Sequence, residues 1–198
     1  MSNVLILGAS GQIARLVTQQ LLKDTQHYLF LFCRSGKSIQ SYDDRLTIFE
    51  GDVLDAKALE KAMVDIDLVY ANLSGSDLGL QAQAVVRAMQ NEGIKRLIFI
   101  TSMGIYNEVS DTSQNLGNNP ALKPYRALAD VVEASDLDYT LIRPGWFTNH
   151  GKANFALSLK VENFYGSQIS KHSLVEFICQ VIQHPERYVR ESVGIYDA

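Results

Sequence analysis

Residues 4–17 read VLILGASGQIARLV, and how this stretch divides decides the fold. Val4 to Leu7 form a short, wholly apolar run of the kind a parallel strand buried on both faces shows, while Ile13, Leu16, Val17 and Leu21 recur at helical spacing. Between them lies GASGQIA, in which Gly8, Gly11 and Ala14 make a GxxGxxA pattern. A tight turn needs the dihedral freedom of glycine, a missing side chain lets backbone N–H groups approach a pyrophosphate, and a small third residue packs the helix close to the sheet. The stretch therefore predicts strand, glycine turn and helix, with Leu7, Ile13 and Leu16 in the core. The helix N-terminus then turns its positive dipole end toward phosphate.

Outward from this unit the pattern repeats. Apolar runs recur as YLFLFC at 28–33, LTIF at 46–49, IDLVYA at 66–71, RLIFI at 96–100 and YTLI at 139–142. Amphipathic stretches separate them, among them DAKALEKAM from Asp55, LQAQAVVRAMQNEG from Leu80 and PYRALADVVEAS from Pro124. Asp55 is placed to cap its helix, Gly93 to end the next, and Pro124 to open the one after. Six strands alternating with helices predict an α/β protein, a doubly wound parallel sheet in three layers. At 198 residues the expectation is one domain over 1–198, with a small C-terminal segment, about 144–198, on the substrate side. The long polar insertion Asn107 to Leu122 follows the C-terminal end of a strand, the edge at which open parallel sheets bind ligands.

In that context the glycine pattern predicts a dinucleotide site, with Gly8, Ser10, Gly11, Gln12 and Ile13 as cofactor residues. An NAD site commonly places a carboxylate at the end of the second strand, against the ribose 2′-OH. This chain has FCRSGKS there instead, and Arg34 and Ser35, with Lys37 nearby, suit a 2′-phosphate, so NADP(H) is expected over NAD(H). In EGDVLD, Asp52 is placed to accept the adenine amino group and Val53 to cover the ring. In ANLSG, the small residues and Gly75 let Asn72, Leu73 and Ser74 run beside the ribose and pyrophosphate.

Other classes recede. The net charge is −4 and the basic residues form no stripe, so neither nucleic acid nor a membrane is an expected partner, and no segment approaches the roughly 18 apolar residues of a membrane span. Cys33 and Cys179 stand far apart without metal-site spacing, and His27, His150, His172 and His184 are scattered, so no metal is expected. Free cysteines and the lack of a leader-like N-terminus predict a cytoplasmic setting. Ser10 is no nucleophile elbow, because Gln12 stands where GxSxG requires glycine.

Taken in order and spacing, GASGQIA, GDVLD, RLIFITSMGIY, PYRALAD, LDYTLIRPGWFTN and QISKHSLVEFICQVIQHP resemble the atypical short-chain dehydrogenase/reductases, specifically the small NmrA-like, NAD(P)H-binding proteins. The resemblance spans nearly the whole chain and implies a Rossmann-type sheet. It implies Ser102 as the active-site serine, Tyr125 as the first residue of the YxxxK motif, and Thr101, Pro144 and Gly145 beside the cofactor. Met103, Tyr106, Trp146 and Phe147 would then line the substrate pocket. Small members of this neighbourhood reduce flavins, biliverdin or quinones, and others bind the dinucleotide as redox sensors.

The departure is at Ala129, where YxxxK has its lysine. That lysine holds the nicotinamide ribose and depresses the tyrosine pKa. Lys123 and Arg126 do not share the face of Tyr125 at helical spacing, and Arg126 is a fixed charge rather than a proton shuttle. Quinones and flavins take their proton from solvent after hydride transfer, and Trp146 and Phe147, with Phe155 nearby, suit a flat acceptor. The first expectation is therefore an NADPH-dependent reductase of a small planar acceptor. The alternative is a non-catalytic sensor that meets a regulatory protein, with a homodimer open in either case. A sugar-nucleotide epimerase comes third, because only roughly 50 residues follow the RPG, too few for a second lobe.

Overall fold

The computed structural model describes residues 1–39, 43–150 and 154–198. Val4 to Leu7 fall in β1 (Asn3–Leu7), and all four side chains are fully buried. β1 pairs in parallel with β2 (Tyr28–Cys33) on one side and β4 (Leu68–Ala71) on the other. β3 (Leu46–Glu50) lies outside β2, while β5 (Arg96–Ile100) and β6 (Asp138–Pro144) follow β4, all in parallel. The strand order therefore reverses between β1 and β4, the topological switch point where such sheets open a crevice at their C-terminal edge.

The sheet does not stop at six strands. β10 (Glu191–Asp197) adds in parallel to β6, and β8 (Phe155–Ser158) adds antiparallel to β10, giving the order β3-β2-β1-β4-β5-β6-β10-β8. A separate parallel pair joins β7 (Trp146–Thr148) to β9 (Gln168–Ser170). Three of these four strands are three or four residues long, too short for an alternation to show in sequence.

Helices cover both faces. α1 (Gln12–Asp24) and α5 (Lys171–Gln183) pack on one side, where Val4, Ile6, Leu31, Tyr70 and Ile142 meet Val17, Leu21, Phe177 and Ile178. α2 (Ala56–Met63), α3 (Leu78–Glu92) and α4 (Lys123–Glu133) cover the other, where Leu5, Leu7, Phe32, Phe99 and Leu141 meet Leu59, Val85, Met89 and Leu128. The two cores take alternate residues of each strand, as the two-residue period of a strand requires. Leu16 departs from expectation: it is 36% exposed, because the buried stripe of α1 runs through Ile13, Ala14, Val17, Thr18 and Leu21 and leaves it on the shoulder.

The helix-end signals act as read. The Asp55 carboxylate accepts from the amides of Lys57 and Ala58, Gly93 closes α3 in the left-handed region, and Pro124 lies in the first turn of α4. α3 begins two residues earlier than its apolar pattern suggested, at Leu78, behind Asp77.

Candidate functional site

The turn after β1 is built by its glycines. Gly8 has φ +73°, and a Cβ there would sit 2.3 Å from the Asn72 carbonyl oxygen, so a side chain is excluded by both dihedral and space. Gly11 caps α1 with no side chain, which leaves the first-turn amides of Gln12, Ile13 and Ala14 without a capping partner. The same end carries the positive pole of a 13-residue helix.

Around this turn the ends of β1, β2, β3 and β4 enclose a cleft of about 580 Å³. Its walls include Gly8, Ser10, Gly11, Arg34, Asp52, Val53, Asn72, Leu73 and Ser74, all expected there from sequence. Gln12 is exposed on the first turn of α1, Ile13 is buried in the core beneath, and Ser35 is exposed just beyond Arg34; none of the three lines the cleft. Arg34 is exposed and makes no ion pair with another described residue, so its guanidinium is available to an anion. Asp52 spends one carboxylate oxygen on the Leu54 amide at 2.9 Å. The donor set, free amides at a helix start plus one unpaired arginine, fits a phosphorylated dinucleotide.

Sequence reading missed part of the wall. Phe32, Cys33, Ser76, Asp77 and Gln81 also line the cleft. The Gln81 amide donates to the Ser74 carbonyl at 3.2 Å and to Asp77 Oδ1 at 2.7 Å, which ties the start of α3 to the loop after β4. The run SGSD ahead of an apolar helix signalled only a helix start. Burial raises the thiol pKa of Cys33, so this wall of the cleft presents a neutral thiol.

Farther along the same edge a second pocket of about 170 Å³ lies at the ends of β5 and β6. Thr101, Ser102, Met103, Tyr125, Pro144, Gly145, Trp146 and Phe147 converge on it. Thr101 donates its hydroxyl to the Ile142 carbonyl, so the free hydroxyls of this pocket are Ser102 and Tyr125. Trp146 and Phe147, which line it, are 59% and 46% exposed. The lining carries no charged residue among those described.

Tyr106 departs from its expected place. Gly104, at φ +81°, turns the chain away from the pocket, and the Tyr106 hydroxyl instead bonds Glu133 at 2.7 Å and Ser192 at 3.2 Å. Burial holds its pKa well above the usual tyrosine value. Phe155 likewise packs on Phe177 beneath α5, not with Trp146. Ala129 is fully buried, and Arg126 points away from the pocket, paired with Asp130 and Glu133 and stacked 4.7 Å over the Tyr106 ring.

Among the described residues no cluster of His, Cys, Asp or Glu could hold a metal ion, and no helix is long and apolar enough to cross a membrane.

A family model described as NAD(P)H-binding matches residues 8–185. The chain is 41% identical to a Rossmann-fold NAD(P)-binding family protein from Shigella flexneri, covering 100% of this chain and 94% of that one, with a TM-score of 0.88. It is 25% identical to a short-chain dehydrogenase/reductase from Veillonella parvula solved in complex with NADP, covering 99% and 94%, with a TM-score of 0.91. Over 164 residues it is 30% identical to YhfK of Bacillus subtilis, named as an uncharacterized sugar epimerase, covering 74% and 72%. The chain spans about half the length of the other curated relatives that it matches, among them an isoflavone reductase-like protein of Olea europaea and eugenol synthase 1 of Petunia hybrida.

Proposed function

The chain belongs to the NAD(P)H-binding family, and we propose that it is an NADPH-dependent reductase passing hydride to a planar acceptor such as a quinone or a flavin. One observation carries this reading: the cleft around the glycine turn and the uncharged, aromatic-lined pocket lie on one sheet edge, so a dinucleotide held in the first reaches the second. The NADP complex of the Veillonella parvula relative supports the choice of cofactor.

In this reading the backbone amides of Gln12 and Ile13 and the α1 dipole hold the pyrophosphate, while Arg34, with Ser35 beside it, binds the 2′-phosphate. Asp52 and Val53 border the adenine, and Asn72, Leu73 and Ser74 the ribose. Thr101, Pro144 and Gly145 wall the nicotinamide end. The bound cofactor supplies the hydride. Ser102 and Tyr125 donate hydrogen bonds to the acceptor's oxygen, and Met103, Trp146 and Phe147 hold its ring flat, so the protein's contribution is orientation. With Ala129 buried and no lysine on the tyrosine's face, the proton that completes reduction comes from solvent.

The same absence of a lysine supports a second reading, a dinucleotide sensor without turnover. The experiment is to confirm NADPH binding by fluorescence and then follow its near-ultraviolet absorbance with a quinone, a flavin and biliverdin in turn. Acceptor-dependent oxidation that disappears in Gly8→Val, whose side chain would fill the turn, supports the reductase. Tight binding with no oxidation by any acceptor sinks it and leaves the sensor.

A further inference from the structure

We propose that the buried ion pair of Arg143 and Glu108 positions Ser102, fixing the hydroxyl that receives the acceptor's oxygen; the role assigned to Ser102 rests on the reductase reading above. Arg143, on β6, is fully buried, and the Glu108 side chain is 5% exposed. One Glu108 oxygen accepts from the Gly104 amide at 3.0 Å and from Arg143 Nη1, and the other accepts from the Tyr106 amide at 2.9 Å. Arg143 spends its remaining donors on Ser192 of β10, with Nε 3.1 Å from the hydroxyl, and on the Ser158 carbonyl.

The neighbours of Arg143 act on the same loop. The Thr101 amide donates to the Ile142 carbonyl at 2.7 Å, and the Met103 amide to the Pro144 carbonyl at 3.3 Å. Ser102 is thus bracketed by the backbone of residues 142 and 144, and the turn that follows it is held by the side chain between them, acting through Glu108. Gly104 makes that turn at φ +81°, where a Cβ would lie 2.1 Å from the Gln114 carbonyl oxygen.

The chemistry requires a carboxylate. Three donors converge on Glu108, and a carboxylate offers two oxygens and no hydrogen, whereas glutamine would turn an N–H₂ against another donor. A buried ion pair contributes little to stability over apolar residues of the same size, because both charges are desolvated. What this one provides is geometry: it fixes the backbone that follows Ser102.

The chain has a single tryptophan, Trp146, and it borders the same pocket. Its quenching by 1,4-naphthoquinone therefore reads acceptor binding without requiring turnover. Glu108→Gln is expected to weaken quinone binding about tenfold and to lower kcat on the order of a hundredfold, the loss a displaced positioning group produces. NADPH affinity is expected to stay unchanged, because no member of the network lines the first cleft. Ser102→Ala is expected to show similar losses, and Glu108→Gln added to Ser102→Ala is expected to cost nothing more, since the pair acts through that hydroxyl.

Additive losses in the double variant, or a folded Glu108→Gln protein with wild-type quenching and rate, overturn the proposal. Arg143→Lys, which keeps a charge toward Glu108, carries the same cycle where Glu108→Gln fails to fold, with a smaller loss expected that also vanishes beside Ser102→Ala. Quenching without NADPH oxidation in the wild-type protein sinks the reductase reading alone, and the quenching cycle still decides the positioning role. Absence of both overturns both.

Discussion

The indole N–H of Trp146 donates a 2.9 Å hydrogen bond to Oε1 of Gln114. Gln114 ends a short 3₁₀ turn, Thr112–Gln114, in the long polar loop after β5, so this loop reaches across and steadies an exposed ring that lines the second pocket.

Freeing that ring is therefore predicted to cost acceptor binding and little else. Losing one neutral hydrogen bond of about 1 kcal/mol corresponds to a rise of roughly fivefold in acceptor KM for Gln114→Ala, with thermal stability changed by less than about 0.5 kcal/mol. Steady-state kinetics and the fluorescence anisotropy of Trp146 check this together. An unchanged KM alongside a more mobile indole means that the ring's orientation does not matter.

Arg34 lines the first cleft, and in the proposed reading it binds the 2′-phosphate of NADPH. Removing a charge-assisted hydrogen bond worth about 1.5–3 kcal/mol predicts that Arg34→Ala weakens NADPH roughly tenfold to a hundredfold. NADH, which has no 2′-phosphate, should bind as before. Fluorescence titration with the two dinucleotides measures the difference, and equal losses for both would remove the cofactor preference.

Tyr70 is fully buried on β4, and its hydroxyl has no hydrogen-bond partner among the described residues. An unsatisfied buried hydroxyl costs about 1–3 kcal/mol, so Tyr70→Phe is predicted to leave the fold intact and raise the unfolding free energy by about 1 kcal/mol. Urea denaturation decides it: a lower midpoint for Tyr70→Phe would mean that the hydroxyl is paired in solution.

Burial pushes the Cys179 thiol up to about 12 from its ordinary 9.0. The unfolded chain therefore releases this proton near pH 9 while the folded one keeps it, and between pH 9 and 12 the unfolded state binds fewer protons, so stability falls as pH rises. Cys179→Ala is predicted to flatten that decline, whatever its effect at pH 7. Urea midpoints taken at several pH values through this range give the slope, and identical slopes in the two proteins would refute the attribution. Thiol reagents should meanwhile find Cys179 unreactive until the chain unfolds.

Much of the sheet was legible because buried parallel strands are compact apolar words: VLIL, YLFLFC and RLIFI each announce themselves over four to six residues. The grouping of Ser102, Tyr125, Pro144 and Trp146 was legible through the family resemblance, and it is met by different elements: Ser102 follows β5, Tyr125 lies in the first turn of α4, Pro144 ends β6 and Trp146 begins β7. WFT and QIS are too short to carry a period, so β7 and β9 were hidden. Tyr106 was misplaced because one glycine, Gly104, reverses the chain, and four residues of spacing do not encode a direction. The Arg143 and Glu108 pair was invisible for a third reason: the partners are 35 positions apart, and nothing local marks a charged residue as buried.

The position of β10 between β6 and β8 carries a consequence for how the molecule is made. β1 to β5 all lie within the first 100 residues, so the strands around the first cleft have every pairing partner before β6 is made. Arg143 must wait for Ser192, synthesised 49 residues later, before it is sealed from water. Chain order thus separates the two halves of the edge: every strand partner around the first cleft comes from the first 100 residues, whereas the ion pair behind Ser102 is closed by β10, near the end of the chain.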